Sequence, residues 1–249
     1  MKGLSTAAVD DRMPVSFRPM RLTTTEDYIT IAVEVNIMKV IKQETYEKVF
    51  PYIAYIPETV SEKPAMMIHL HGAAERGNGG EELDKVLTYG FPNLVNDENL
   101  IDCIMVMPQC PKDAFWSARV ESIKRFIDEM IALYHVDTDR VYLCGISMGG
   151  FGTWHTATAY PDLFAAIVPC CGGGIAALSR VLTMPIWAIH GLDDKIVSPN
   201  QTIEMIEKIK TFNPHLKYDL LEGVKHHSWE KGFTPEVLQW LLSQRKSAE

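Results

Sequence analysis

Short apolar runs and amphipathic stretches take turns along this chain from Ala65 onward. The runs at 65–70, 104–107, 165–169 and 186–189 are too short for membrane spans and suit strands buried on both faces. Between them, 81–95 is helical in part, and 118–134 carries a helical stripe at Val120, Ile123, Phe126, Ile127, Met130 and Ile131. A helix over 202–209, a strand over 218–221 and a closing helix over 235–244 continue the series. Upstream, 28–35 and 50–56 are rich in β-branched and aromatic residues and read as strands. Pro108 should stop the strand before it. Strands alternating with helices require a mostly parallel central sheet with helices on both faces. A ligand site on such a sheet lies beyond the carboxyl ends of its strands.

The 249 residues suit one domain, 1–249, with 1–19 a loosely ordered N-terminal segment. The net charge of −8 comes with no basic block, so nucleic acid is not an expected partner. No apolar run approaches the ~18–20 residues of a membrane span, so no membrane is expected either. The N-terminus lacks an apolar h-region, which places the chain as given in the cytoplasm; a leader removed beforehand would make it secreted. Cys103, Cys110, Cys144, Cys170 and Cys171 include no C-x-x-C, so no zinc site is expected. A reduced compartment fits, with a Cys103–Cys110 disulfide left open.

Residues 145–149 read G-I-S-M-G, with an apolar strand before them and a helix opening after. A serine on so tight a strand-to-helix turn has its hydroxyl presented at the sheet edge, ready to act as a nucleophile. Residues 190–197, H-G-L-D-D-K-I-V, follow another strand, so Asp193 or Asp194 falls on the same edge. Residues 223–229, G-V-K-H-H-S-W, follow the last strand and offer a base from the adjacent His226 and His227, with His226 favoured. Imidazole suits the task because its ordinary pKa near ~6.5 lets it take and return a proton. Residues 69–77, H-L-H-G-A-A-E-R-G, follow the third strand, where an acyl-transfer enzyme draws a donor for its oxyanion. The backbone N–H groups of Ala73 and Met148 are assigned that role; His71 reads as a brace for the loop. Taken singly, these are an acidic turn, a structural histidine and a Gly-rich turn. In the order serine, aspartate, histidine they form the set of an α/β-hydrolase.

At these positions the chain resembles α/β-hydrolase esterases of the predicted-peptidase, phospholipase/carboxylesterase and feruloyl-esterase-like group. The matching blocks are L-H-G-A-A-E-R-G (70–77), M-P-Q-C-P (107–111), D-R-V-Y-L-C-G-I-S-M-G-G-F-G-T-W (139–154), H-G-L-D-D-K-I-V and G-V-K-H-H-S-W. The resemblance implies the α/β-hydrolase fold and a catalytic set of Ser147, Asp194 and His226. It places the acid at Asp194 through H-G-x-x-D-x-x-V and the base at His226 through G-H-x-S-W, although Lys225 stands where that pattern has glycine. It further implies ester hydrolysis through an acyl-enzyme, without metal or organic cofactor, on a small-molecule or polysaccharide-linked ester. Short-chain or aryl esters, feruloyl and acetyl groups among them, are the expected substrates; a peptidase or amidase using the same three residues is the alternative. Trp116 and Trp229 lie just past strand ends and are expected to wall the pocket, with Tyr89, Phe91 and Asn93 nearby.

Overall fold

The computed structural model describes residues 38–44, 50–95 and 102–246. The strand expected at 28–35 and the segment 1–19 lie outside the described residues. The strands are β1 (Lys39–Gln43), β2 (Tyr52–Ile56), β3 (Ala65–Leu70), β4 (Cys103–Pro108), β5 (Val141–Ile146), β6 (Ala166–Cys170), β7 (Ile186–Gly191) and β8 (Leu216–Leu221). They form one eight-stranded sheet in the order β1-β2-β4-β3-β5-β6-β7-β8. β2 runs antiparallel to both β1 and β4, and every pairing from β4 through β8 is parallel. Helices α1 (Val120–Tyr134), α2 (Met148–Ala159), α3 (Asn200–Ile209), α4 (Trp229–Gly232) and α5 (Pro235–Leu242) cover the sheet. The architecture is that of an α/β-hydrolase, with helices on both faces of a mostly parallel sheet.

The two-residue period of a strand explains the two layers of core. Ile68 and Leu70 of β3, Leu143 of β5, Ile167 of β6 and Ala188 of β7 turn to one face, against Phe126 of α1, Trp154 of α2 and Met205 of α3. Met67, Tyr142, Cys144, Val168 and Ile189 turn to the other, against Val237, Leu238 and Leu241 of α5. Because both faces are covered, β3 to β7 are buried at every position. That is why these strands read as unbroken apolar runs and not as alternations.

Pro108 closes β4 from inside it, paired with Tyr52 of β2. The segment after β3, expected to be helical in part, is two 3-10 turns at Gly80–Leu87 and Phe91–Asn93. All five cysteines are buried and free, so Cys103 and Cys110 form no disulfide. No helix among the described residues is long and apolar enough to cross a membrane.

At the amino edge of the sheet, opposite the serine, one cation ties three strands together. Arg140, leading into β5, donates to Asp102 Oδ2 before β4 (3.0 Å), to Asp137 Oδ2 (3.1 Å) and to the Lys63 carbonyl before β3 (2.7 Å). Burial works against the charge on Asp102 and Asp137. Backbone N–H groups and the Arg140 guanidinium outweigh it and hold both carboxyls below their ordinary range. A carboxylate so held stabilises the fold fully above its unfolded pKa near ~3.9 and loses that contribution as the pH falls through its lower folded value. Arg140→Met is therefore expected to cost about 1–3 kcal/mol at pH 7. The difference from the wild type should shrink by pH 2.5. Urea midpoints at the two pH values check this, and an unchanged difference would contradict it.

Candidate active site

Ser147 sits between β5 and α2 at φ 52° and ψ −115°, a conformation that non-glycine residues rarely adopt. The close approach of α2 to the sheet imposes it. A Cβ on Gly149 would collide with the Leu70 carbonyl at the end of β3, and one on Gly145 with the carbonyl of Gly149 and, at 2.8 Å, with Thr153 Oγ1. Glycine at both places lets the chain reverse with the serine at its apex. Phe151 N–H already bonds to the Ser147 carbonyl (3.0 Å), and Ser147 N–H to the Cys170 carbonyl of β6 (3.0 Å), so the apex is pinned from both sides.

Three side chains from three loops then meet in line. Asp194 follows β7 and is 3% exposed, whereas its neighbour Asp193 is exposed and outside the cluster. His226 follows β8; its Nδ1 lies 2.7 Å from Asp194 Oδ2 and its Nε2 3.0 Å from Ser147 Oγ. The carboxylate can only accept, so Nδ1 carries the proton and Nε2 is left to accept from the serine hydroxyl. Such an arrangement can draw a proton off Ser147 as its oxygen attacks an electrophile. His227 turns the other way, exposed, with Nδ1 3.4 Å from Glu230 Oε1. The structure thus brings together Ser147, Asp194 and His226, and leaves Asp193 and His227 out.

A buried carboxylate must be paired or heavily hydrogen-bonded. Asp194 Oδ1 accepts from the N–H groups of Ile196 (2.8 Å) and Val197 (2.9 Å). Burial pushes its pKa up, but His226 and these two N–H groups outweigh it and hold the carboxyl below its ordinary value. His190, at the end of β7, adds a contact that sequence reasoning left without a role: its Nε2 lies 3.2 Å from Asp194 Oδ2 and 3.1 Å from the Val197 carbonyl. Nδ1 of the same ring is 2.6 Å from Thr202 Oγ1 on α3. The acid is therefore clamped between two imidazoles. The spacing of four between His190 and Asp194 was the available signal.

The loop after β3 is built as rigidly. His71 is buried; its Nε2 accepts the Cys110 N–H at 2.9 Å, so Nδ1 carries the hydrogen and donates to the Gly72 carbonyl at 2.6 Å. Burial lowers its pKa to about 4, and the ring stays neutral near pH 7. In a trans peptide the N–H points opposite the C=O, so fixing the Gly72 carbonyl also fixes the direction of Ala73 N–H. Gly72 lies beside the serine: a Cβ there would stand 3.8 Å from Ser147 Cβ. Met148 is the first residue of α2, whose opening N–H groups have no partner within the helix. Gln109, another residue the sequence reading passed over, is fully buried and bonds to Gly79 N–H and to the carbonyls of Glu75 and Glu82, stitching the loop to β4.

Trp116 is not a pocket wall. It is fully buried, packs edge-on against His71 and donates Nε1–H to the His71 carbonyl at 3.1 Å. Its ring supports the loop from below, because the apolar space between that loop and Phe50 is where so large a side chain fits. Trp229 is 6% exposed but stands at the site: His226 meets it edge-on at 5.4 Å and His227 stacks on it at 4.8 Å. Tyr89 tilts over the same pair, 5.7 Å from Trp229 and 6.0 Å from His227. Phe91 instead stacks on Phe233 in the core, and Asn93 turns back to the Thr88 carbonyl.

A family model described as phospholipase/carboxylesterase matches residues 105–239, more than half of the chain. A bifunctional acetylxylan esterase/xylanase of Neocallimastix patriciarum is 27% identical over 159 residues, covering 59% of this chain and 22% of that protein. A feruloyl esterase B of Neurospora crassa is 30% identical over 123 residues, 45% of this chain and 40% of its own. The chain therefore spans less than half the length of either relative. Among solved structures, a thermostable esterase superposes with a TM-score of 0.69 at 27% identity, over 84% of this chain and 63% of its own. The feruloyl esterase module of Clostridium thermocellum superposes with a TM-score of 0.66 at 15% identity, over 85% of this chain and 90% of the module, and shares the fold. With the serine, aspartate and histidine loops on one edge of this sheet and the family model matched across α1 to α5, the chain belongs to the phospholipase/carboxylesterase family.

Proposed function

We propose that the chain is a serine carboxylic ester hydrolase acting through an acyl-enzyme on short-chain or aryl esters, acetyl and feruloyl esters of polysaccharides among them. The line of hydrogen bonds from Ser147 through His226 to Asp194 supports this most directly. Ser147 Oγ attacks the ester carbonyl as its proton passes to His226 Nε2. The oxyanion of the tetrahedral intermediate takes the N–H groups of Ala73 and Met148, each donor contributing about 3–4 kcal/mol to the rate. When the intermediate collapses, His226 returns the proton to the departing alcohol and the acyl group stays on Ser147. Water then attacks the acyl-enzyme by the same route, and the acid leaves. Asp194 holds the His226 tautomer throughout and offsets the charge of the imidazolium.

The substrate class draws on two supports. The relatives named above act on acetylxylan or feruloyl esters by their names. Tyr89, His227 and Trp229 form a cluster of rings beside the base, with the outer face of His227 exposed. A flat ring of the substrate, aryl or sugar, can lie against that face.

Ser147→Ala is expected to fold normally and to lose at least ~10,000-fold in kcat on p-nitrophenyl acetate and methyl ferulate. Turnover kept in that variant would sink the proposal, and serine-dependent cleavage of a peptide p-nitroanilide in place of esters would favour the peptidase alternative. His226→Gln should match that loss. His227→Gln should not: its kcat stays near the wild type, while KM for methyl ferulate rises ~2- to 10-fold, the value of one ring contact. Steady-state kinetics of the two variants, side by side, decide between the adjacent histidines.

A further inference from the structure

Cys171 follows β6 directly and has a buried side chain on a backbone at φ 42°, although it is not glycine. Its Sγ, a carboxylate oxygen of Asp194 and a ring nitrogen of His226 all lie within 4.8 Å of one another. Ester hydrolysis as set out above employs the last two and has no task for the thiol. A thiolate, an imidazole and a carboxylate together form the mixed sulfur, nitrogen and oxygen donor set that zinc-like ions take up. Metal–ligand bonds of ~2.0–2.3 Å set such donors about 3.3–3.8 Å apart in a tetrahedron, so the cluster closes with shifts of about 1 Å. The His226 loop, with its exposed flanks at Lys225 and His227, is the side that can supply the movement.

We propose that Cys171, Asp194 and His226 form an inhibitory site for zinc-like divalent cations, a site that shuts the enzyme without occupying the serine. The inhibition rests on the reading of Ser147, His226 and Asp194 as the catalytic set; the binding does not. The proton balance makes it specific. Nδ1 is the ring nitrogen beside Asp194 Oδ2 (2.7 Å), so an ion shared with that carboxylate takes Nδ1 and displaces its hydrogen, and the Cys171 thiol releases its proton to solvent as it becomes a ligand. The neutral ring keeps one hydrogen, which then sits on Nε2, facing Ser147 Oγ. A nitrogen that already carries a proton cannot take the one on the serine. The carboxylate that held the tautomer is drawn to the metal in the same step. One proton is released per ion bound, no covalent bond to carbon forms, and a chelator restores the starting state.

Two measurements test the site. The first titrates zinc into Ser147-dependent turnover of p-nitrophenyl acetate for the wild type and for the Cys171→Ala, Cys171→Ser and Cys170→Ala variants. Expected are inhibition reversed by EDTA in the wild type and in Cys170→Ala, and an increase of at least ~10-fold in the half-inhibitory zinc concentration in either Cys171 variant. Cys171→Ser keeps the shape of the side chain and serves should the alanine variant not fold. The second adds cobalt to the Ser147→Ala protein, which turns over nothing, and looks for the thiolate-to-cobalt charge-transfer band in the near ultraviolet. The band should appear and vanish when Cys171→Ser is added. Zinc inhibition indifferent to Cys171, or no band, overturns the site. A band in a protein whose wild type shows no Ser147-dependent turnover leaves the metal site standing and removes the catalytic reading beneath the inhibition.

Discussion

The distance at which α2 meets the sheet governs the carboxyl edge of this molecule. Its first turn presses on the Leu70 carbonyl of β3 and on the end of β6, so closely that a methyl group on Gly149 has no room. That contact places Ser147 at positive φ, next to the helix opening, whose first N–H groups have no partner within the helix. The same N-terminus carries the positive end of the helix dipole, which favours negative charge there. The nucleophile and one of the two oxyanion donors of the proposed mechanism thus depend on one steric constraint. The strain at Ser147 persists because β3, β5 and β6 are buried on both faces and cannot yield to relieve it.

Asp194 and His226 are held by two loops that brace each other. Asp194 is buried in a turn whose own backbone supplies two N–H donors, and two histidines approach its second oxygen. A buried carboxylate with so many partners has little freedom, so part of the orientation of His226 is passed down from β7. The His226 loop exposes Lys225 and His227 but is tied to the end of β7, where Asp193 N–H donates to the Val224 carbonyl (2.9 Å), and it closes with Ser228 N–H on the His226 carbonyl (2.7 Å).

Much of this was legible in the chain. The buried strands announce themselves because a parallel sheet covered twice admits little but apolar side chains, and the three loops carry their residues at fixed offsets from strand ends. The edge strand β1 (K-V-I-K-Q) was not legible, since it is half exposed and its composition is as polar as a loop. Nor were the 3-10 turns after β3: their spacing of apolar residues fits an α-helix as well. Trp116 shows the limit most clearly. Past a strand end a tryptophan can line a pocket or fill the space beneath a loop, and the choice depends on Phe50 and His71, distant in sequence. His190 and Gln109 were missed for the same reason: each acts through partners brought near only by the fold.

The two ends of the candidate site also differ in what they can afford to vary. The loop of His71 is locked by a chain of buried bonds through Cys110, Gly72, Trp116 and Gln109, none of which reaches solvent. On the proposed mechanism, a change there disturbs the Ala73 N–H, and with it the turnover of any ester. The rings of Tyr89 and His227 lie at the surface and touch the catalytic line only through Trp229 and His226. Under the proposed function, substitutions on that side change which flat group rests beside His226 while leaving the hydrogen bonds from Ser147 to Asp194 intact. The proposed function therefore leaves selectivity among esters free to drift along the 89 and 227 side of the site, with Ser147, His226 and Asp194 held by the buried side.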